Sequence, residues 1–178
     1  FPMQESRQII VHKHMLLGAI WMTVEHEREV IACDFERMDL ILKRNERRLV
    51  YADECNVFTI GHAMAHGVTG IEGYWDEYMK RLELLNAKII FLDIPPETSW
   101  ERRQHRYEQR LVYFPKDEHK AIMERYRDYL FKAHKVLVEV FDRLPFPKRM
   151  VDASVSKKGV FNTVYRSLME FTLADVSE

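Results

Sequence analysis

The chain has 178 residues, enough for one domain with a sizeable core. Its hydrophobic fraction of 47% and charged fraction of 31% are those of a soluble globular protein and exclude a disordered chain. With 27 basic and 28 acidic side chains the net charge is −1, so any polyanion binding has to come from a local cluster and not from the global field.

Cys33 and Cys55 are the only cysteines and lack a CxxC spacing. A disulfide framework is therefore not expected, and a cytoplasmic or other reducing intracellular compartment is. No apolar run approaches about 18 residues and no secretory signal is visible, so no membrane span or membrane partner is expected. The chain opens on Phe1-Pro2 rather than Met, and a missing upstream segment is expected from that.

In chain order, residues 4–20 carry Ile9, Ile10, Met15, Leu16 and Leu17 with few breakers and read as a helix. Residues 21–46 place Val24, Val30, Ile31, Phe35, Met38, Ile41 and Leu42 near helical spacing amid charges. The apolar face of residues 9–35 suits a buried core helix. Arg48–Asp53 reads as a strand. Asn56 is placed to cap a helix running to His66, with Gly67 as its stop. Gly70 to Gly73 forms a turn before a helix over Tyr74–Leu85, whose Trp75, Tyr78, Met79, Leu82 and Leu85 share one face. Lys88–Asp93 is a second strand, and Pro95-Pro96-Glu97 opens the helix after it. Arg110–Lys116 reads as an irregular loop, within a candidate lid over 104–116. A long helix follows over Asp117–Leu144, ended by Pro145 and Pro147. Lys148–Asp152 is a third, shorter strand. Ser156 opens the last helix, with Val160, Val164, Leu168 and Phe171 inward.

Strands alternating with helices imply an α/β fold, a three-layer arrangement with a parallel sheet covered by helices on both faces. No repeat, low-complexity segment or composition shift divides residues 1–178, which read as a single domain. In open parallel sheets ligands bind beyond the carboxyl ends of the strands, where Asp53, Asp93 and Asp152 would lie.

Three constellations there can carry chemistry. Leu49-Val50-Tyr51-Ala52-Asp53-Glu54 ends a strand in two acids, which can hold Mg²⁺ and orient a nucleophile, or simply cap the next helix. Arg102, Arg106 and Arg110 step by four and, with Arg103, form a basic cluster. It reads as a phosphate clamp or as a solvated helix answered by Glu101, Glu108 and Glu118. His62 and His66, four apart on a helix, have a zinc-compatible spacing but no third ligand beyond Cys55. They read better as surface or pocket-lining residues. His12 and His14 read as surface. Neither GxxxxGK[ST] nor GxGxxG occurs, and the glycines at 18, 61, 67, 70, 73 and 159 form no phosphate cradle.

Taken together, the pattern resembles thymidylate kinases, within the P-loop nucleoside and nucleotide kinases. The resemblance runs in order along nearly the whole chain and begins after the family's phosphate-loop strand and helix. Phe1-Pro2 is similar to the Phe-Pro that follows the second strand in many members. Leu49–Asp53 sits where the family has a strand ending in Asp-Arg. Thr59-Ile60-Gly61-His62-Ala63 loosely resembles the helix lining the nucleobase pocket. Ile90-Phe91-Leu92-Asp93-Ile94-Pro95-Pro96-Glu97 is very close to the family's Phe-Leu-Asp-Val-Pro-Pro-Glu, and Met150–Ser154 to its last strand and turn. The family's Asp-Arg is Asp53-Glu54 here, and Arg37 only approximately matches its substrate-binding arginine.

The resemblance implies a fold whose first strand and phosphate loop are missing from these 178 residues, and transfer of the ATP γ-phosphoryl group, with Mg²⁺, to a nucleoside monophosphate or related nucleoside. Asp53 would hold Mg²⁺ directly or through water, and Glu54 would meet a substrate hydroxyl. Arg102 and Arg106 would stabilise charge on the transferring group. Phe1, Pro2, Arg37, His62 and Arg110 would bind substrate. A nucleotide partner and a homodimer are implied, and specific nucleic-acid readout is not. The alternative is a degenerate kinase fold kept as a binding or structural subunit.

Overall fold

β-branched and aromatic residues concentrate in Ile89-Ile90-Phe91-Leu92, a run suited to a pleated, largely covered surface. The computed structural model describes residues 24–43 and 57–176. In chain order these form α1 (Val24–Lys43), α2 (Phe58–Ala65), α3 (Tyr74–Leu84), β1 (Ile89–Asp93) and α4 (Pro96–Arg110). Two 3₁₀ turns (Leu111–Tyr113 and Lys116–Glu118) lead to α5 (His119–Arg143), β2 (Lys148–Asp152) and α6 (Lys157–Val176). The expected helix over 4–20 and the expected strand Arg48–Asp53 lie outside the described residues. The α/β class holds: the chain is mostly helical, around a small parallel sheet of two strands among the described residues.

Local chemistry accounts for the boundaries. Gly67, at φ 76°, closes α2: its N–H reaches the Met64 carbonyl while Val68 N–H reaches that of Ala63. That is the paired bonding of a Schellman stop. α3 ends the same way on Asn86, at φ 48°, with Asn86 N–H on Glu83 and Ala87 N–H on Leu82. Asparagine is the residue besides glycine that tolerates this conformation best. Pro95 stands outside α4 in extended conformation and Pro96 occupies its first turn, where a missing N–H is harmless. Ser156 Oγ accepts the Gly159 N–H at 3.2 Å and so caps α6 where expected. Lys148 lies beyond the end of α5 and donates to the carbonyls of Phe141, Asp142 and Leu144 at 2.7–2.8 Å.

β1 and β2 pair in parallel from Ile89 opposite Lys148 to Asp93 opposite Asp152. Ile89, Phe91 and Asp93 share one face, and there Phe91 meets Phe58 of α2 at 5.3 Å and Phe141 of α5 at 5.4 Å. Val151, on the other face, is buried where α6 packs on β2. The main core gathers Ile31, Ile60, Ile71, Tyr78, Leu82, Ile89 and Phe141, and a second cluster under α4 gathers Tyr107, Leu111, Ile122, Tyr126 and Leu130. Gly61 lets α2 approach α5 closely: a Cβ there would stand 2.7 Å from Leu137 Cδ2 and 3.3 Å from Val140 Cγ2. On α6 the expected inward residues Val160, Val164, Leu168 and Phe171 are half-buried, while Phe161, Tyr165, Met169 and Leu173 are exposed. No helix among the described residues is long and apolar enough to cross a membrane.

Candidate functional site

At the carboxyl end of the strands both acids are engaged within the fold. Asp93 Oδ1 accepts from His134 Nε2 of α5 at 2.8 Å. Asp152 Oδ1 accepts the Ser154 N–H at 2.8 Å, and the Ser154 hydroxyl, then that N–H, hold its carboxyl below the usual range. The turn after β2 is tied back by the Ala153 N–H on the Asp93 carbonyl at 2.6 Å. Asp53 and Glu54, with Phe1, Pro2, Cys55 and Asn56, lie outside the described residues.

The arginines do not converge. Arg102 donates to the carbonyls of Ala153 and Ser154, at 3.2 and 3.1 Å, and so fastens α4 to the turn after β2. Arg106 is exposed, with no hydrogen-bond or ion-pair partner among the described residues. Arg110 lies 5.8 Å from the Tyr107 ring and beside the Tyr126 hydroxyl. A step of four residues drifts by about 40° on a helix, and eight residues rise by about 12 Å, so Arg102 and Arg110 diverge in both angle and height. None of the three forms an ion pair with Glu101, Glu108 or Glu118 among the described residues.

The expected irregular loop over Arg110–Lys116 is replaced by the end of α4 and two short 3₁₀ turns. Leu111 is buried and Phe114 packs against the Tyr107–Tyr126 cluster, while His119 Nε2 lies 3.1 Å from the Phe114 carbonyl. Apolar side chains at 111 and 114 anchor the segment, and Val112 remains exposed.

Polar groups converge instead where α1, α2, α3 and α5 meet. Asp34, buried on α1, accepts at Oδ2 from Thr59 Oγ1 at 2.7 Å and from the Tyr78 hydroxyl at 2.9 Å. Burial raises its pKa, opposed by those two donors and by exposed Arg37. Glu27, two turns earlier on the same stripe, is 1% exposed. Burial, and then the charge of Asp34, push its pKa up to about 7. The Tyr129 hydroxyl lies 2.7 Å from His62 Nδ1. It donates there when the imidazole proton sits on Nε2. The Tyr129 ring stacks on His66 with centroids 4.1 Å apart and planes at 12°. Crowding by protein atoms lowers the His62 pKa, helped by Arg103, although the side chain keeps an exposed edge. His66 is pushed down to about 4 by burial, His62 and Lys132. Burial drives the Tyr129 hydroxyl well above its ordinary value.

Of the expected site residues, His62 belongs to this cluster and Arg37 stands at its rim. Arg102, Arg106 and Arg110 do not join it. No set of three metal-ligating side chains occurs among the described residues, so the zinc spacing of His62 and His66 finds no third ligand there. Glu27, Asp34, Thr59 and Tyr129 were not singled out from the sequence. The signal was present: Glu27, Ile31, Asp34 and Met38 follow helical spacing, which puts two acids on the buried stripe of α1. A surface hollow lined by Asp76, Met79, Lys80, Glu83, Pro145 and Phe146 shares no residue with the cluster. We found no match to this chain among protein-family models, curated proteins or solved structures.

Proposed function

We propose that this chain is a thymidylate kinase-like member of the P-loop kinases, serving transfer of the ATP γ-phosphoryl group to a nucleoside monophosphate or related nucleoside. The observation that carries the reading is the parallel pairing of β1 and β2, with Asp93 opposite Asp152 and a helix opening on Pro-Pro-Glu straight after β1. Helices against both faces of the pair support the three-layer form of that fold. So does the other edge of β1, which pairs with no strand among the described residues. The Ile89 N–H and Asp93 carbonyl bond toward β2, so the backbone groups of Ile90 and Leu92 point the other way and suit a further parallel strand.

The chemistry of α4 fits a polyphosphate: Arg103 and Arg106 are exposed guanidinium groups, and guanidinium forks match phosphate oxygens. Bound ATP would supply the phosphoryl group, and these residues would orient it and answer its charge. For Mg²⁺ the described residues offer no ligand set, and the reading leaves that ion to Asp53. Arg102, engaged with backbone carbonyls, acts as a fastener of α4 rather than as a clamp.

A second reading, a kinase-like fold kept for binding, is favoured by that same engagement of Arg102. Calorimetric titration of ATP with Mg²⁺ into the full-length protein separates the two. The kinase reading expects saturable binding, weakened at least about tenfold in Arg106→Ala. No binding, with the protein folded, overturns it.

A further inference from the structure

Two polar side-chain atoms around the α1–α2–α5 meeting, Glu27 Oε1 and His66 Nε2, are buried with no hydrogen-bond partner among the described residues. Leaving such a group unmatched costs about 1–3 kcal/mol, and native interiors rarely do so. Glu27 is the more deeply placed, at 1% exposure, and near enough to Asp34 and Tyr129 for their charges to be felt mutually. Asp34 has the Thr59 and Tyr78 hydroxyls, and Tyr129 has His62. Glu27 Oε1 lacks an answering donor among the described residues, which a ligand N–H or O–H would supply.

The walls decide the ligand's charge. Around it stand Glu27 and Asp34 from α1, Thr59 and the exposed His62 from α2, His66 at the end of α2, Tyr78 from α3 and Tyr129 from α5. Arg37, Arg103 and Lys132 are exposed at the rim, and no lysine or arginine is buried among the described residues. Two like charges 4 Å apart near a protein surface repel by about 4 kcal/mol, so a phosphomonoester is disfavoured beside Asp34, and beside Glu27 wherever that carboxyl ionises. A neutral ligand with donor groups meets no such barrier. The stacked His66–Tyr129 pair adds a flat aromatic wall, which suits a planar ring.

We infer that this cluster binds the phosphoryl acceptor as a neutral nucleoside rather than as its monophosphate, with Glu27 Oε1 accepting a hydrogen bond from a base N–H or a sugar hydroxyl. The inference rests on the kinase reading for its substrate class, but the binding it describes needs no phosphoryl transfer. The test is calorimetric titration of the four common deoxynucleosides, and separately of their 5′-monophosphates, into the full-length protein without ATP. At least one nucleoside is expected to bind, and at least about tenfold more tightly than its monophosphate. Glu27→Met, which removes the acceptor, should weaken that binding about tenfold or more. Glu27→Gln, which keeps an acceptor oxygen, should restore most of it. Equal or tighter binding of the monophosphate, no binding of any nucleoside, or an unchanged affinity in a folded Glu27→Met would each overturn the assignment. Nucleoside binding without ATP binding would sink the kinase reading and leave this site standing, and the reverse result would do the opposite.

Discussion

At the scale of single residues, Glu27 and His66 give the molecule two opposed responses to pH. Glu27 has a folded pKa of about 7 against 4.5 for the free group, so the native state resists losing its proton. Below pH 4.5 the carboxyl is protonated in both states and costs nothing. As pH rises from 4.5 to about 7 the unfolded chain ionises while the native carboxyl holds its proton, and stability falls by an amount on the order of 3 kcal/mol. His66 works the other way. Its folded pKa of about 4, against 6.5, means that stability is whole above pH 6.5 and is lost as pH falls toward 4. The two windows overlap and partly cancel. Glu27→Gln should therefore be more stable than the parent at pH 8, match it near pH 4, and show a steeper loss on acidification from pH 7. His66→Gln should flatten that acid loss. Urea unfolding of each variant at pH 4.5, 6 and 8 measures this, and a parallel shift at all three values would show that neither group titrates as described.

At the scale of elements, most of the boundaries were written in the sequence because they rest on local chemistry. Gly67, Pro96, Ser156 and the Pro145–Pro147 stop act through their own backbone preferences, which need no tertiary context. The partners of polar side chains were not legible, because they depend on which helices meet. Arg102 fits a clamp by spacing alone, yet it finds two carbonyls 51 and 52 residues away. Arg110–Lys116 looks like a loop until Leu111 and Phe114 reach the aromatic cluster under α4. Lys148 belongs to the same class. Nothing in Lys148-Arg149-Met150 announces a helix cap, but strand pairing places its ammonium on the carbonyls of Phe141 and Asp142 in the last turn of α5 and of Leu144 just past its end. Cations at a helix carboxyl end complement its dipole, and charge-assisted hydrogen bonds are worth more than neutral ones. The ammonium also stands 5.1 Å from the centre of the Phe141 ring, and Lys148→Met keeps an apolar chain at this position while removing the donors. It should cost about 1–2 kcal/mol in denaturant unfolding, with the change in slope small. A loss below a few tenths would mean that water replaces the ammonium without penalty.

At the scale of the whole molecule, burial is uneven in a way that no single element explains. α1, α2, α3 and α5 enclose a core in which Tyr78, Ile31 and Ile71 are fully buried, whereas α6 touches mainly β2 and turns Phe161, Tyr165, Met169 and Leu173 outward. Those four recur every four residues, so they form one ridge, and the rings of Phe161 and Tyr165 lie 6.3 Å apart along it. Leu92, half exposed on β1, shows that the sheet too keeps apolar surface toward solvent. Scattered exposed apolar residues are ordinary, but a contiguous ridge of large ones is uncommon on a monomer and favours association. The 178-residue chain should therefore bind an apolar fluorescent dye in its native state and sediment with concentration-dependent mass. Replacing Phe161 with Lys and Leu173 with Glu puts opposite charges at the two ends of the ridge without touching the half-buried Val160, Val164 or Leu168. That double variant should lose most of the dye signal and sediment as a monomer, while its melting temperature stays within a few degrees of the parent's. Undiminished dye binding in a folded double variant would place the exposed apolar surface elsewhere, with half-exposed Leu92 on β1 as the next residue to charge.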